Sequence, residues 1–366
     1  MSFKMIPIAK PFLGKKEKKA VIRVLDSGLL ARGRITEEFE KRFSEFCHVK
    51  HAIMTSSGTT ALQTCVHVAG IEENDKVITT PFSFIASANC ILTKKAKPVF
   101  VDISEDTYNI DPEKVEEAID DKTKAIIPVD LFGHPYDYGK IKKIANKNNL
   151  LVMEDACQAI GAEYKGRKAG ALGDIAAFSL YATKNIISGE GGVITTDNDE
   201  FAEKAGIFIN QGQKERYHYI DIGFNYRISD IHAAIALEQL KKVDLIAKKR
   251  ARNAELLIKG LKGITGITVP VLRNGIKHAF HQFSIKVDGY KSSRDALLEK
   301  LRKNGVGAAV YYPQPLHLTG LYARFGYKKG DFPVAEETAE KILSLPIHPS
   351  VTKKDIKKMI EIIRGR

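Results

Sequence analysis

The sequence predicts an α/β protein with a large domain, built on a mostly parallel central sheet flanked by helices, and a smaller C-terminal α/β domain. Two observations predict this class. Short apolar runs alternate with helical patterns from about residue 50 to about residue 200, which indicates βαβ units. The chain also has 366 residues, which is enough for one large domain and a smaller second one. Ligands of such sheets bind beyond the carboxyl ends of the strands.

The strands of the large domain are expected at short apolar runs bounded by turn residues. Five of these runs are HAIMT, KVITT, PVFVD, KAIIPVD and LLVMEDA. Two more are expected on either side of a glycine-rich turn in IAAFSLYATKNIISGEGGVITTD. Helical patterns lie between them, such as PEKVEEAIDDK and YGKIKKIANKNN. The alternation therefore predicts parallel strands joined by crossover helices.

A long amphipathic pattern beginning near Ser229 is expected to connect the two domains, with Ser229 as its N-cap. The domains are predicted at residues 1–245, which include an N-terminal segment, and residues 246–366. The small domain is expected to contain a strand in FHQFSIKVD, a helix in SSRDALLEKLRKNG, a strand in GAAVYY and a final basic helix.

Composition indicates an ordinary globular protein, because 44% of the residues are hydrophobic and 28% are charged. The four cysteines form no C-x-x-C pair, so neither a zinc site nor a disulfide framework is expected, and no metal is predicted. No apolar run approaches the roughly 18 residues of a spanning helix, and the N-terminus lacks a secretory h-region. The expected location is the cytoplasm, without a membrane partner.

The formal charge of +13 would attract nucleic acid, an anionic membrane surface or a phosphate-bearing small substrate. Charge alone does not choose among these partners. The lysines are spread along helical segments in which acidic and apolar residues interrupt them, as on a solvated helix face. No groove-reading motif is present, so a nucleic-acid partner is not expected.

The first candidate motif is a Ser/Gly/Thr turn that follows the strand HAIMT and opens the helix in SSGTTALQTCVHVAG. Free backbone N–H groups at a helix N-terminus, with the hydroxyls of Ser57, Thr59 and Thr60, make a pocket suited to a phosphate. An ordinary helix N-cap is the alternative, and for this motif alone it is favoured.

The second and third motifs supply an acid and an amine. The run LLVM ends in Glu154 and Asp155, where a buried carboxylate needs a cation or a protonated ring nitrogen as partner; a helix-capping role is equally compatible. Lys184 lies in the loop between two strands, where removal from water leaves an amine partly neutral and nucleophilic. Most lysines are merely solvated, so this residue alone indicates little.

The combination of the three motifs is far more specific than its parts. Each motif lies at a predicted strand end, and together they supply a phosphate site, a carboxylate and a lysine. Pyridoxal phosphate needs these three partners for its phosphate, its pyridine nitrogen and its aldehyde. The residues therefore favour a pyridoxal-phosphate enzyme in which Lys184 carries the cofactor as a Schiff base.

The chain resembles the DegT/DnrJ/EryC1/StrS family, the pyridoxal-phosphate-dependent sugar aminotransferases of the aspartate aminotransferase fold type I. The resemblance covers nearly the whole length and rests on a set of motifs in the family's order: SSGTTAL, DKVITTPFSFIASAN, PVFVDI, EDACQAIGA, FSLYATKN, SGEGG, GFNYRISDIHAAI, VYYPQPLH and LSLPIHP. As a set these motifs are highly specific.

The resemblance implies two catalytic residues, Lys184 as the Schiff-base lysine and proton shuttle, and Asp155 as the partner of the pyridinium nitrogen. It also implies the remaining cofactor contacts: Gln158 to the ring's phenolic oxygen, Gly58, Thr59 and Ser179 to the phosphate, Phe84 against the ring face, and Asn225 to the phosphate of the neighbouring subunit's cofactor. The last contact implies a homodimer with shared active sites.

The reaction that the resemblance implies moves an amino group from L-glutamate to a nucleotide-activated keto sugar. The motif GEGG after the lysine slightly favours a 4-keto over a 3-keto substrate. Candidates for contacts to the sugar lie in family segments that approach the active site, although each is equally compatible with a core position: Arg227, His281, Tyr312 and His317.

Departures from the family pattern keep some alternatives open. Leu29 and Arg32 replace residues common in the family, so sugar contacts near them are uncertain, and Tyr181 stands where many members have histidine. A same-fold dehydratase or lyase remains an alternative, although members with histidine at the position of Lys184 are the dehydratases. A non-catalytic regulatory protein is a second alternative, but it would have no need of an activated lysine.

Overall fold

The computed structural model describes residues 5–365. The helices in this part of the chain are α1 (Lys15–Ser27), α2 (Arg34–Cys47), α3 (Gly58–Val68), α4 (Ala86–Leu92), α5 (Pro112–Glu117), α6 (Tyr138–Lys147), α7 (Asp199–Phe208), α8 (Asp230–Leu240), α9 (Val243–Leu261), α10 (Arg294–Lys303), α11 (Pro333–Lys341) and α12 (Lys353–Arg364). Short 3-10 helices occur at Leu131–Gly133, Leu316–Leu318 and Tyr322–Phe325.

The strands in the same residues are β1 (His51–Thr55), β2 (Lys76–Thr79), β3 (Lys97–Phe100), β4 (Thr123–Ile126), β5 (Leu151–Asp155), β6 (Glu163–Tyr164), β7 (Arg167–Lys168), β8 (Ile175–Ser179), β9 (Gly192–Thr196), β10 (Gln213–Glu215), β11 (His218–Tyr219), β12 (Ile267–Thr268), β13 (Ile276–Lys277), β14 (Phe283–Val287) and β15 (Ile342–Leu345). Each of the seven apolar runs predicted to be strands in the large domain overlaps one of these strands.

Seven of these strands form the central sheet, in the order β1-β9-β8-β5-β4-β2-β3. The five strands from β8 to β3 are parallel to one another. β9 is antiparallel to both of its neighbours, β1 and β8. The sheet is mostly parallel, and the predicted α/β class is confirmed. The reversed strand β9 is the one that returns directly through the short glycine-rich turn, because a crossover helix is needed only between parallel strands.

Helices cover both faces of this sheet, which explains why β8 and β9 are buried along their whole lengths. On one face α3 contributes Leu62 and Val66 and α7 contributes Ala205 to a cluster with Ala177 and Ile194 of the sheet. On the other face α2 and α8 pack over β1, β8 and β9, and α6 packs beside β5. The sheet is therefore a buried layer whose strand ends are left to bind ligands.

The amphipathic pattern after Ser229 forms two helices rather than one, because α8 ends at Leu240 and α9 begins at Val243. Ser229 is the N-cap residue, but its Oγ lies 2.8 Å from Nδ1 of His232 and makes no capping hydrogen bond. The next residue, Asp230, instead accepts hydrogen bonds from the first turn of α2, including the N–H and Oγ1 of Thr36. This carboxylate ties the N-terminal part of the chain to α8.

The C-terminal part has its own core and a three-stranded antiparallel sheet, in the order β12-β14-β15. Helices α9, α10 and α12 pack around it through residues such as Leu257, Leu297 and Met359. Along α9 the core contacts pass from the first cluster at Ile246 to this second cluster at Ala254. The boundary between residues 245 and 246 stays a prediction.

The segment GAAVYY was predicted to be a strand, and this prediction is wrong. Only Ala309 forms a bridge, to Ser344. Val310, Tyr311 and Tyr312 turn away and pack against a cluster beside the large sheet, because their apolar surface is buried there. The strands that pair with β14 are β12 and β15, and the sequence prediction missed both.

Candidate active site

The predicted phosphate turn, acid and lysine come together around one cavity of about 440 Å³. The cavity lies beyond the carboxyl ends of β5 and β8 and beside the N-terminus of α3. Nine of the twelve predicted site residues line it: Gly58, Thr59, Phe84, Asp155, Gln158, Ser179, Lys184, His281 and Tyr312. This position agrees with the rule for ligand sites in open α/β sheets.

The N-terminus of α3 forms one end of the cavity. Ser57 and Thr60 close a reciprocal capping box, in which Ser57 Oγ accepts the N–H of Thr60 and Thr60 Oγ1 accepts the N–H of Ser57. Among residues 5–365, no protein acceptor takes the N–H of Gly58 or of Thr59. These two donors, at the positive end of the helix dipole, are suited to an anion. Ser179, at the end of β8, lines the same part of the cavity.

Gly58 is required by the close approach of α3 to β8. A Cβ atom at this position would lie 2.8 Å from the Cβ of Ser179 and 3.1 Å from the Sγ of Cys157. We therefore expect Gly58→Ala to push α3 away from β8, which lowers the free energy of unfolding by about 1–3 kcal/mol. It should also weaken the binding of inorganic phosphate or pyridoxal phosphate. Thermal unfolding and a binding titration check both effects.

Gly206 provides the matched control, because it also lies in a helix but has open space where its Cβ would be. Gly206→Ala is expected to leave anion binding unchanged and to stabilise the protein by about 0.5–1 kcal/mol. Equal anion affinity in Gly58→Ala and the wild type would contradict the role of this helix end.

Asp155 is the last residue of β5, and its main chain is held on both sides. Its N–H donates to the carbonyl of Pro128 (2.9 Å) and its carbonyl accepts the N–H of Asp130 (3.0 Å). In its side chain, Oδ2 accepts the hydroxyl of Ser87 (2.7 Å) and Oδ1 accepts the N–H of Cys157 (3.1 Å). The carboxylate is thus presented to the cavity in a defined orientation.

The neighbouring acid, Glu154, points to the other side of β5 and has a structural role. Its carboxylate accepts the N–H groups of Gly170, Leu172 and Gly173, at 2.8, 3.0 and 3.2 Å. Burial and the adjacent Glu154 raise the pKa of Asp130 well above its ordinary value. Of the two acids in the motif, only Asp155 lines the cavity.

Lys184 lies in the loop after β8, where its N–H donates to the carbonyl of Tyr181 (2.9 Å). Removal from water lowers the pKa of the Lys184 amine, while the nearby Cys157 thiol and the carboxylate of Asp155 act in the opposite direction. No hydrogen bond or salt bridge to Nζ is formed within the described part of the chain. An amine in this state is available as a nucleophile and as a proton carrier.

The other residues around the cavity hold one another in place. Gln158 Oε1 accepts the N–H of Phe132 (2.9 Å), and its Nε2 donates to the hydroxyl of Tyr312 (3.2 Å). Burial raises the pKa of Tyr312, so this hydroxyl keeps its proton. Phe84 is 57% exposed, which is unusual for a large aromatic ring and leaves its face open to a ligand.

His281 is a buried, neutral imidazole at the cavity wall. Burial, with the positive charges of Lys184 and Arg250, lowers the pKa of His281 well below its ordinary value. Its Nδ1 has no hydrogen-bond partner in residues 5–365. A buried polar atom without a partner is costly, so this nitrogen is suited to contact a polar ligand.

Three predicted residues lie outside this cavity. His317 is buried in the core, where its Nε2 lies 2.9 Å from Glu336 and its ring packs on Phe332. The structure therefore places His317 in the core alternative and not among the candidate sugar contacts. The guanidinium of Arg227 donates a hydrogen bond to Oδ1 of Asn210, and Arg227 does not line the cavity. Asn225 is exposed, away from the cavity of its own chain.

Several cavity residues were not predicted as site residues: Ser83, Ser87, Glu190, Gln282 and Tyr311. The two serines are four residues apart in PFSFIAS, with Ser87 in the first turn of α4 and Ser83 in the bend before it. That spacing is the signal that could have found them. Gln282 and Tyr311 come from distant segments that only folding brings here.

No metal site accompanies this cavity. In the ranges that the structure describes, no three His, Cys, Asp or Glu side chains are grouped so that they could hold a metal ion. The four cysteines are free thiols. None of the described helices has both the length and the apolar character needed to cross a membrane.

Comparison with known proteins matches the whole chain to one family. The family model of the DegT/DnrJ/EryC1/StrS aminotransferases covers residues 11–364. GDP-perosamine synthase of Caulobacter vibrioides is 37% identical over 360 residues, covering 97% of this chain and 96% of the relative. The dTDP-3-amino-3,4,6-trideoxy-alpha-D-glucose transaminase of Streptomyces venezuelae is 36% identical over 346 residues, covering 94% and 90%.

Solved structures agree with this result. DesV of S. venezuelae, in complex with a ketimine intermediate, has a TM-score of 0.93 and 34% identity, and the match covers 98% of both chains. PseC of Helicobacter pylori, an aminotransferase involved in the biosynthesis of pseudoaminic acid, has a TM-score of 0.93 and 31% identity over 99% of both chains. The predicted fold type is confirmed, and the chain belongs to the DegT/DnrJ/EryC1/StrS family of aminotransferases.

Proposed function

We propose that this aminotransferase uses pyridoxal phosphate to move an amino group from L-glutamate to a nucleotide-activated keto sugar. The observation that carries the proposal is the meeting of Lys184, Asp155 and the N-terminus of α3 around one cavity. These groups are an amine of lowered pKa, a carboxylate and an anion site.

The residues present fit pyridoxal phosphate. Gly58 and Thr59 offer two N–H groups without protein acceptors for its phosphate, with Ser179 beside them. Lys184 would hold its aldehyde carbon through the amine, and Asp155 would pair with the ring nitrogen. Gln158 is proposed for the phenolic oxygen, and the open face of Phe84 for the ring.

Bound pyridoxal phosphate supplies an aldehyde that takes up the amino group and a protonated ring that draws electrons from the carbon losing its proton. Lys184 then acts as the base and acid that removes and returns protons, which requires an amine that is partly neutral at the operating pH. The lowered pKa of this amine meets the requirement. Asp155 keeps the proton on the ring nitrogen, since a carboxylate next to that nitrogen stabilises the positive charge.

The substrate class is supported by the names of relatives, which act on GDP-linked and dTDP-linked sugars. The net charge of +13 also favours a diphosphate-bearing substrate. His281 and Tyr312 remain the proposed sugar contacts, and Glu190 of the GEGG motif joins them at the cavity wall. A 4-keto sugar is slightly favoured over a 3-keto sugar because of that motif. The free thiols fit a reducing compartment, so we place the protein in the cytoplasm.

The proposal is tested by the visible spectrum of the purified protein with added pyridoxal phosphate, recorded before and after L-glutamate. A visible band that glutamate removes would support the first half of the reaction. Turnover of nucleotide-linked 4-keto and 3-keto sugars then identifies the acceptor, with the same sugars and no glutamate as control. A protein without a visible band would contradict the proposed cofactor, and an unreactive band would contradict the proposed donor.

We also propose that the active enzyme is a homodimer with shared active sites. The segment of residues 217–224, near Asn225, exposes several large apolar side chains: Tyr217, Tyr219, Ile220, Ile222 and Phe224. A contiguous apolar surface of this kind is typical of a protein interface. Asn225 would then reach the phosphate of the partner's cofactor.

Shared sites predict that two inactive variants rescue each other. In a mixed dimer of Lys184→Ala and Asn225→Ala chains, one site combines the intact Lys184 of one chain with the intact Asn225 of the other. Co-expression is therefore expected to restore about one quarter of the wild-type activity, if the chains pair at random. The control is a mixture of the two variants purified separately and kept unexchanged. If Asn225 served its own chain, co-expression would restore nothing.

A further inference from the structure

Ser87 contacts the acid at the centre of the proposed site. Its side chain is almost fully buried, and its Oγ lies 2.7 Å from Oδ2 of Asp155. The other carboxylate oxygen, Oδ1, accepts the N–H of Cys157, at 3.1 Å. In residues 5–365, Ser87 supplies the only hydroxyl that donates to this carboxylate.

The hydrogen of Ser87 has two nearby acceptors, Oδ2 of Asp155 at 2.7 Å and the carbonyl of Phe84 at 3.1 Å. The shorter bond to the charged acceptor is the stronger one, so the hydroxyl donates to the carboxylate. Ser83 Oγ lies 3.0 Å from Ser87 Oγ. Since Ser87 uses its own hydrogen on Asp155, the hydrogen of this second bond comes from Ser83.

The result is a buried chain of two hydroxyls that ends on the carboxylate. Ser83 donates to Ser87, and Ser87 donates to Asp155; both serines are 1% exposed. Hydrogen bonds in a chain polarise one another, and a low-dielectric surrounding strengthens each of them. A carboxylate buried in such a place keeps its charge and orientation only if donors meet its oxygens.

No other neighbour substitutes for Ser87. The amide of Gln158 makes its hydrogen bonds to Phe132 and Tyr312 and none to Asp155. The main chain of Asp155 is fixed by the strand, which leaves only the rotation of the carboxylate to be set. The hydroxyl of Ser87, in α4, donates to Oδ2, and the N–H of Cys157 donates to Oδ1. Ser87 therefore sets this rotation.

We infer that Ser87, supported by Ser83, is a positioning residue that holds the carboxylate of Asp155 charged and oriented toward the ring nitrogen of pyridoxal phosphate. The inference rests on the proposed function and adds a residue pair to it. Ser87 does not touch the cofactor in this role, and it acts only through Asp155. Its loss should therefore change the proton equilibrium of the bound cofactor and not merely the fold.

The test is a pH titration of the visible band of pyridoxal phosphate bound to Ser87→Ala, with the cofactor dissociation constant measured in parallel. Without the Ser87 hydroxyl, the carboxylate is free to turn away from the ring nitrogen, so it stabilises the proton on that nitrogen less well. A ring without this positive charge withdraws fewer electrons, which makes the proton on the nitrogen that joins Lys184 to the cofactor harder to remove. The titration midpoint is therefore expected to rise by about one pH unit and the dissociation constant by about tenfold.

Three further variants make the result specific. Ser87→Thr keeps the hydroxyl and is expected to return the midpoint to the wild-type value. Ser83→Ala removes only the second donor and should shift the midpoint in the same direction by a smaller amount. Ser44→Ala is the matched control, because this buried serine donates only to the carbonyl of Lys41 in its own helix. Its midpoint should equal that of the wild type.

The outcomes separate the inference from the proposed function. If the wild type shows no visible band, the proposed cofactor is wrong and the inference falls with it. If the wild type titrates normally and Ser87→Ala has the same midpoint, the inference alone is overturned. Should Ser87→Ala fail to fold, Ser83→Ala decides, since an unchanged midpoint there overturns the hydroxyl chain and a raised one supports it.

Discussion

Lys184→Ala is expected to lower transamination by at least about a thousandfold, because the nucleophile and the proton carrier are lost together. The variant should still bind pyridoxal phosphate without a covalent bond, since the anion site at α3 and the carboxylate of Asp155 are unchanged. Borohydride reduction followed by mass measurement distinguishes the two states. Reduction should fix the cofactor to the wild type at Lys184 and leave the variant unlabelled.

The matched control for this variant is Lys204→Ala. Lys204 lies on the surface of α7 and pairs with Glu200 four residues earlier, an exposed ion pair of small energetic value. Its replacement should leave both labelling and turnover at wild-type levels. Full activity in Lys184→Ala, or labelling at another lysine, would contradict the central assignment.

Asp155→Ala is expected to weaken both cofactor binding and turnover, the latter by about a hundredfold to ten-thousandfold, as when a group that stabilises transition-state charge is removed. The physical reason is that, in residues 5–365, the other carboxylate at the cavity wall is Glu190, which belongs to the glycine-rich loop before β9 and not to the end of β5. The Ser87 hydroxyl and the N–H of Cys157 would also lose their acceptor. Steady-state turnover and a cofactor titration measure the two effects.

Glu154→Gln is the informative comparison, because this acid is adjacent in sequence but accepts three backbone N–H groups. An amide there presents an NH₂ group to a donor, which should cost about 1–3 kcal/mol of stability. We expect a lower melting temperature with a largely unchanged visible spectrum. Loss of the spectral response in Glu154→Gln together with a normal response in Asp155→Ala would reverse the two roles.

Local sequence patterns predicted much of this structure. HAIMT coincides with β1, and the run ending in Asp155 coincides with the end of β5. A short apolar run bounded by turn residues is compatible with few secondary structures. The order of the strands in the sheet follows from pairing between distant segments, which no local pattern contains.

Some predictions made from local sequence patterns were wrong or incomplete because contacts between distant segments decided the structure there. GAAVYY has the composition of a strand, yet only Ala309 pairs, with Ser344 of β15, while Tyr311 and Tyr312 pack near the cavity. The helical pattern after Ser229 could not show the break before Val243. For His317 the core and cavity alternatives were equal by sequence, and contact with Glu336 and Phe332 placed it in the core.

The sequence by itself determined the fold class, the family and the residues at the strand ends, since Lys184, Asp155 and the turn before α3 are encoded by short contiguous motifs. Only the tertiary structure decided which neighbours act on them. The hydroxyl of Ser87 meets Asp155 from a segment 68 residues earlier in the chain, and the pKa of Lys184 is lowered because the folded chain excludes water around it. Contacts and desolvation of this kind arise only when separate segments pack together.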